Sequence, residues 1–284
     1  MRNNVLDYFR WLLALAVVVE HCNVIWPVNI PFPLQSNIAV YSFFVLSGYF
    51  THVSLHKYSI NNFYRNRIVR IIPQYVAVII ITVILFIPLL GFRDLEKYLT
   101  ANILGLNFLQ YSFGSENLIV DYPVLNGSLW SIKYEVLYFI LAPMIFNRNV
   151  YTKYILIVTV ALLYVFINSI VFSYLLLFLL GDLFRNRNIG VLVVSPVLLF
   201  FPASIFYSVF LSVSIILVSG YVNSKIEIPD WSYEIYLIHF PVLVFTHKMF
   251  PEGIGLAIIL FIVFLFTLLL VKRLSKKYVL RFRF

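Results

Sequence analysis

Charged residues are scarce in this sequence. Only 12% of its 284 residues are Asp, Glu, Lys or Arg, and 62% are hydrophobic, whereas a soluble globular domain carries about 25% charged residues. No stretch outside the apolar segments is long enough to bury a core of its own. The composition therefore excludes a soluble globular protein, and it predicts an all-α protein that crosses the membrane several times.

Cysteine is almost absent, since Cys22 is the only one in the chain. A single cysteine excludes an intramolecular disulfide and a cysteine-based metal site. His21 stands beside it, but successive residues of a helix point about 100° apart, which argues against a Cys–His pair. We separately expect no metal and no permanently bound cofactor.

Acidic residues are also few, with 12 against 21 Lys and Arg, which gives a net charge of +9. The basic residues do not form runs interleaved with aromatic residues, as they do on RNA- or DNA-binding surfaces. In a membrane protein, an excess of basic residues is typical of cytoplasmic loops. The charge therefore argues against a nucleic-acid partner and is typical of basic cytoplasmic loops. We expect the protein to lie in the inner (cytoplasmic) membrane.

Apolar segments of spanning length, roughly 20 residues, occur along the whole chain. With both termini in the cytoplasm, ten spans place every basic cluster on the cytoplasmic side, as the positive-inside rule requires. The segment 102–111 is too short to span easily, and counting it would put Arg148 and Lys153 outside, so we expect a re-entrant or surface helix there. The predicted spans are 8–26, 36–55, 69–90, 128–146, 152–170, 171–184, 190–203, 205–222, 231–249 and 254–272.

The basic clusters that set this orientation lie between predicted spans and in the tail. They are Lys57, Arg65, Arg67 and Arg70 after the second span, Arg148 and Lys153 after the fourth, Arg185 and Arg187 after the sixth, and Lys272, Arg273, Lys276, Lys277, Arg281 and Arg283 in the tail.

Two ionisable residues are predicted at the same depth of the membrane. His21 lies thirteen residues beyond Tyr8, about 20 Å from the cytoplasmic side at 1.5 Å per residue. Glu135 lies seven residues beyond Ser128, about 10 Å from the outer side. In a hydrocarbon core about 30 Å thick these depths coincide. A histidine beside a carboxylate suits a general base, although the pair could also only hold helices together by hydrogen bonds.

Other polar residues of the predicted spans are open to both structural and functional interpretations. Arg10 lies near the cytoplasmic face, where it can extend to the lipid headgroups. Asp182 is expected at the membrane interface. His239 lies about 12 Å into its span and suits a structural role as well as a functional one.

Five segments resemble those of one family in the same order. The first helix carries Leu6, Asp7 and Arg10, followed by His21 eleven residues after the arginine. In this it resembles the opening helix of the acyltransferase-3 membrane family. The other four segments are SFFVLSGYF with Ser47 and Gly48, RNRIVRIIPQYV with Arg67, Arg70 and Pro73, NGSLWSIKYEVLYFILAP with Trp130, Ser131, Glu135 and Pro143, and SYEIYLIHFPVL with Ser232, Tyr233, Tyr236, His239 and Pro241.

The chain also departs from the family pattern. Members often have a second acidic residue in the fourth segment, where this chain has Val136. The family pattern also does not have an acidic residue at the position before the histidine, where this chain has Glu20. Many members carry a C-terminal esterase-like domain. We expect 1–284 to be a single membrane domain without it, so that transfer is direct or needs a separate partner.

The resemblance implies an enzyme that acylates sugars of surface polysaccharides or lipid-linked glycans. The implied donor is cytoplasmic acetyl-CoA, a co-substrate rather than a bound cofactor, and membrane lipid surrounds the protein. Donor binding is expected from Arg65, Arg67 and Arg70, together with Arg10.

For the transfer itself, His21 is expected either to act as general base with support from Glu135 or to carry the acyl group transiently. Ser47, Trp130, Tyr236 and His239 are expected to line the site. The long segment 91–127 is expected to cover it on the outer side.

A different class of protein also suits many spans with ionisable residues. A lipid-linked glycan flippase or transporter would need no acyl-transfer chemistry. Such proteins often contain inverted repeats and helices interrupted by Gly or Pro, and neither pattern is evident here. The resemblance favours the transferase.

Overall fold

The computed structural model describes residues 4–26, 28–103, 125–167, 169–184, 201–222 and 229–281, without the side chains of 92–94, 97 and 278–281. This part of the chain is helical and contains no strand, so the all-α prediction is confirmed for it. The α-helices of the described residues are α1 (Asn4–Ile25), α2 (Ser36–Lys57), α3 (Ile60–Leu90), α4 (Phe92–Ile103), α5 (Ile132–Phe146), α6 (Val150–Ile167), α7 (Ile170–Phe184), α8 (Ala203–Val218), α9 (Ser232–Met249) and α10 (Ile254–Arg281), and a short 3₁₀ turn, Leu129–Ser131, precedes α5.

Several of these helices have the length and composition of membrane spans, which supports a multi-pass membrane protein. Two further apolar helices, α7 and α8, are shorter. Within the described ranges, the six candidate spans are Asn4–Ile25, Ser36–Lys57, Ile60–Leu90, Leu129–Phe146, Val150–Ile167 and Ile254–Lys277. The count of ten spans and the cytoplasmic termini therefore stay predictions.

Parts of the predicted organisation fall outside the described residues. Residues 190–200 of the seventh predicted span and 104–111 of the predicted surface helix belong to these parts. The ninth predicted span corresponds to α9, which carries Glu234, His239, His247 and Lys248 and is not among the six candidate spans.

Helix α3 begins earlier than predicted, which moves the basic cluster out of a loop. The span was predicted from 69, but α3 begins at Ile60, with the Ser59 carbonyl accepting the Phe63 N–H at 2.8 Å. Arginine is a good helix former, so the arginines extend the apolar helix instead of ending it. Arg65, Arg67 and Arg70 therefore lie in the first turns of a helix.

The described residues divide into two compact units. Unit 1 comprises 1–17, 32–64 and 134–230, and unit 2 comprises 18–31, 65–133 and 231–284. Helix α1 contributes to both, since its residues through Val17 belong to unit 1 and those from Val18 belong to unit 2.

In unit 1, helices α2 and α7 are in backbone contact through glycines. A Cβ atom added at Gly48 would lie 2.1 Å from the Phe178 carbonyl oxygen, and one added at Gly181 would lie 2.0 Å from the Val45 carbonyl oxygen. No residue with a side chain fits at either position. The Tyr138 ring of α5 stacks on the Phe178 ring at 4.2 Å between centroids, so α2, α5 and α7 meet at Phe178.

In unit 2, helices α9 and α10 pack together and share a buried ion pair. The Lys272 ammonium donates to the Glu234 carboxylate at 2.9 Å, and Glu234 is almost fully buried. The Trp26 indole N–H donates to the Pro251 carbonyl at 2.8 Å and so ties the end of α1 to the loop between these helices.

Candidate active site

Two histidines from different helices contact each other in unit 2. Nε2 of His239, in α9, lies 3.1 Å from Nδ1 of His21, in α1. His239 is fully buried, and its Nδ1 lies 2.7 Å from the Tyr236 carbonyl oxygen. His21 is half-buried, and the Phe240 ring meets its imidazole edge-on at 5.1 Å between centroids. We refer to His21 and His239 as the histidine pair.

A proline in α9 explains how this helix is held at the pair. Pro241 has no N–H, so the carbonyl of Leu237, four residues earlier, lacks its usual helical donor. The Asn126 side-chain amide donates to that carbonyl at 3.3 Å. The side-chain oxygen of Asn126 also accepts the Ser128 N–H at 3.0 Å, which fixes the amide orientation. The turn before α5 is thereby tied to α9.

The same turn contains one predicted site residue, Trp130, and contacts another, Tyr236. The Ser131 hydroxyl lies 3.0 Å from the Tyr236 hydroxyl, on α9 one turn before His239. Trp130 lies in the same 3₁₀ turn and is half-buried. His21, Tyr236 and His239 therefore belong to one connected group, and Trp130 lies in the turn that contacts it.

Glu135 and Ser47 form a second group, in unit 1. The Ser47 hydroxyl donates to the Glu135 carboxylate at 3.2 Å, which links α2 to α5. Tyr138 lies one turn after Glu135, and its stacking on Phe178 fixes this part of α5. Both predicted residues are half-buried.

The predicted pairing of His21 with Glu135 stays a prediction. His21 belongs to unit 2 and Glu135 to unit 1. Within its own unit, each has a partner that the depth argument did not identify, His239 and Ser47 respectively.

Arg10 forms an ion pair within unit 1. Its guanidinium contacts the Asp230 carboxylate and lies 5.6 Å from the centroid of the Phe50 ring. The neighbouring Trp11 indole donates to the Pro229 carbonyl at 2.9 Å. Arg10 is buried, so it is held by protein contacts and does not simply extend to lipid headgroups.

The remaining predicted donor-binding residues lie on α3. Arg65, Arg67 and Arg70 are all half-buried and belong to unit 2. Arg67 and Arg70 are three residues apart, so they lie on the same face of the helix.

Sequence reasoning missed a buried charge cluster in unit 1. The Asp182 carboxylate lies 2.6 Å from Nδ1 of His52 and 2.5 Å from the Lys153 ammonium. All three side chains are almost fully buried. We refer to His52, Asp182 and Lys153 as the buried triad. Lys153 was expected in a loop, which is wrong, because it lies in the first turn of α6. Each charge offsets the burial of the other. The position of Asp182 at the membrane interface stays a prediction.

The triad had a weak signal in the sequence. His52 follows Gly48 by one helical turn, and Asp182 follows Gly181 directly. Glycine allows close backbone contact between helices, so a glycine near a polar residue weakly indicates that this residue contacts the neighbouring helix.

Among the residues that the structure describes, no group of three or more His, Cys, Asp or Glu side chains is placed to hold a metal ion. Donor binding by Arg65, Arg67, Arg70 and Arg10 stays a prediction, and so does the role of the His21 imidazole in proton transfer or nucleophilic attack.

A comparison with protein families identifies one match. The family model Acyl_transf_3, described as an acyltransferase domain, matches residues 3–231. The matched range contains every predicted site residue except Tyr236 and His239. No curated protein and no solved structure matches the chain.

Proposed function

This chain belongs to the acyltransferase-3 family, and on that premise we propose that it transfers an acetyl group from cytoplasmic acetyl-CoA to a sugar hydroxyl of a surface polysaccharide or lipid-linked glycan. As a membrane acyltransferase it needs an acyl donor and an acceptor. The choice of acetyl-CoA and of a glycan follows from the resemblance of the five segments, and the inner membrane is the proposed location.

The hydrogen bond between the two histidines is the observation that supports this chemistry most directly. His21 is half-buried, which leaves part of its ring accessible, and it is held by a fully buried partner. An imidazole held in one position suits proton abstraction from a sugar hydroxyl. It equally suits attack on a thioester carbonyl.

Both routes give the same overall reaction. As a general base, His21 takes the hydroxyl proton while the sugar oxygen attacks the thioester carbonyl, the C–S bond breaks and the proton passes to the thiolate. As an acyl carrier, His21 first attacks the carbonyl and releases the thiolate. The sugar oxygen then displaces the imidazole, and the hydroxyl proton passes through His21 to the thiolate. Glu135 is proposed to support His21 in either route.

The donor is proposed to bind through the arginines. Guanidinium groups match phosphate geometry and remain charged at every physiological pH. Arg67 and Arg70 share a helix face, and Arg65 lies within the same turns. Arg10 lies eleven residues before His21 on α1, about 16 Å along the helix.

Radiolabelled acetyl transfer tests the proposal. Membranes that contain the wild-type protein should move label from acetyl-CoA into glycan. His21→Ala should reduce kcat by on the order of 10²- to 10⁴-fold, the usual contribution of general acid–base catalysis. Cys22→Ala, at the next position of α1, is the matched control and should retain activity.

Two results would contradict the assignment. Equal labelling by wild type and His21→Ala, at equal protein levels, would remove His21 from the mechanism. Absence of labelling with a panel of acyl-CoA donors, together with glycan export that depends on the protein, would identify a flippase or transporter instead.

In the same assay, Glu135→Gln should lower kcat by a smaller factor than His21→Ala, because the imidazole remains.

A further inference from the structure

We propose that His239 is a positioning residue that fixes the tautomer of His21, so that Nε2 of His21 is the atom that acts on the substrate. This inference rests on the proposed function and names the reacting atom and the residue that selects it. The hydrogen-bond partners of the histidine pair determine which imidazole nitrogens carry a proton.

The first step is the contact of His239 with the backbone. Nδ1 of His239 lies 2.7 Å from the Tyr236 carbonyl oxygen. A carbonyl oxygen only accepts hydrogen bonds. Nδ1 of His239 must therefore carry the proton of this bond.

The second step concerns the other nitrogen of His239. The side chain is fully buried, and an isolated charge is costly to bury, so the ring is neutral in the resting state. In a neutral imidazole with a proton on Nδ1, Nε2 is an acceptor. The contact of 3.1 Å with Nδ1 of His21 is then a hydrogen bond that His21 donates.

The third step fixes the tautomer of His21. Because its Nδ1 is the donor, Nε2 carries the lone pair. The edge-on Phe240 ring, at an interplanar angle of 86°, limits rotation of the imidazole and so keeps Nδ1 directed at His239. Loss of His239 removes this acceptor, and the alternative tautomer of His21 has no lone pair on Nε2.

In both routes Nε2 of His21 carries the sugar hydroxyl proton to the thiolate of CoA. In the general-base route, Nε2 of His21 accepts the hydroxyl proton, Nδ1–H stays bonded to His239, and Nε2 returns the proton to the thiolate of CoA. In the acyl-carrier route, Nε2 forms the bond to the acyl carbon as the C–S bond breaks. After the sugar oxygen displaces it, Nε2 accepts the hydroxyl proton and passes it to the thiolate. His239 keeps its own proton throughout.

Two near-isosteric variants separate positioning from packing. In His239→Asn, the side-chain amide can still donate to the Tyr236 carbonyl, but no atom occupies the Nε2 position. In His239→Gln, the side-chain oxygen can reach that position and accept the His21 proton. We expect His239→Asn to lower kcat by on the order of 10²-fold and His239→Gln by much less, with KM similar in both. A loss of equal size in both variants would overturn the proposal.

Histidine-selective ¹⁵N labelling gives a readout that does not depend on turnover. The full-length chain has five histidines, so the spectrum of the purified protein is sparse, and His21→Gln identifies the His21 signals. We expect Nδ1 of His21 to be protonated and Nε2 unprotonated in the wild type, and mixed tautomers in His239→Asn. A wild-type His21 protonated on Nε2 would overturn the proposal.

The two readouts separate this inference from the proposed function. If the wild type transfers no acyl group, the proposed function fails, while the spectra still decide which nitrogen of His21 is protonated. If transfer is intact in His239→Asn although the tautomers are mixed, the positioning role is refuted and the proposed function stands.

Discussion

At the scale of single residues, the buried triad shows how this protein accommodates charge. Asp182 contacts His52 and Lys153 at once, and all three side chains are almost fully buried. Removing one partner of such a cluster leaves an unpaired buried charge, which is far more costly than removing the whole pair. The stability of unit 1 should therefore depend on the pairing of opposite charges within the triad rather than on the presence of any one member.

Lys153→Met tests this balance. We expect the substitution to lower the free energy of unfolding by about 3–5 kcal/mol, because it leaves the Asp182 carboxylate without its cation. Adding Asp182→Asn should recover part of the loss. Thermal unfolding of the detergent-solubilised protein measures both effects.

An exposed lysine provides the control for this prediction. Lys57, at the end of α2, is exposed, and Lys57→Met should change stability by no more than about 0.5 kcal/mol. A double variant whose stability loss equals the sum of the single losses would contradict the proposed coupling within the triad.

At the scale of helices, the glycine contact between α2 and α7 leaves no room for a side chain. The Gly181→Ala methyl would meet the Val45 carbonyl at 2.0 Å, and backbone cannot move aside as a flexible side chain can. We expect the two helices to separate locally, at a cost of about 1–3 kcal/mol or more, with a lower melting temperature as the readout. Gly255→Ala is the matched control, since nothing lies within 4 Å of its added Cβ. Equal stability of the two variants would refute the constraint.

The helices also show what sequence can and cannot predict. Long apolar runs predicted α1, α2 and α5 to within a few residues, because hydrophobic length determines such helices. The start of α3 was placed nine residues late, since arginines were taken to end a helix that they extend. Helix α9 lies within one residue of the apolar segment predicted at 231–249, although it is not among the candidate spans.

The partners of the site residues were harder to predict than the residues themselves. His21 was identified because an ionisable residue in an apolar helix is unusual. Its partner lies 218 positions away, and nothing local in either segment encodes that contact. The depth argument placed His21 about 20 Å and His239 about 12 Å from the cytoplasmic side. It therefore favoured Glu135, at the same depth as His21, over His239.

At the scale of the whole molecule, the predicted orientation can be tested with little engineering. Because Cys22 is the only cysteine, Cys22→Ala gives a background without thiols. We expect Gln35→Cys, in the predicted outer loop, to react with a membrane-impermeant maleimide in intact cells. Tyr58→Cys, in the predicted cytoplasmic loop, should react only after permeabilisation. The reverse pattern would invert the topology and contradict both cytoplasmic termini.

The buried triad also bears on how the chain is inserted into the bilayer during synthesis. Helix α7 begins three residues after α6 ends, and Lys153 and Asp182 lie near the two far ends of this pair. A lone Lys or Asp in a nascent helix opposes its release from the translocon into lipid by up to about 2.5–3.5 kcal/mol at the helix centre. The two helices should consequently leave the translocon together as a hairpin, with their opposite charges already neutralised against each other.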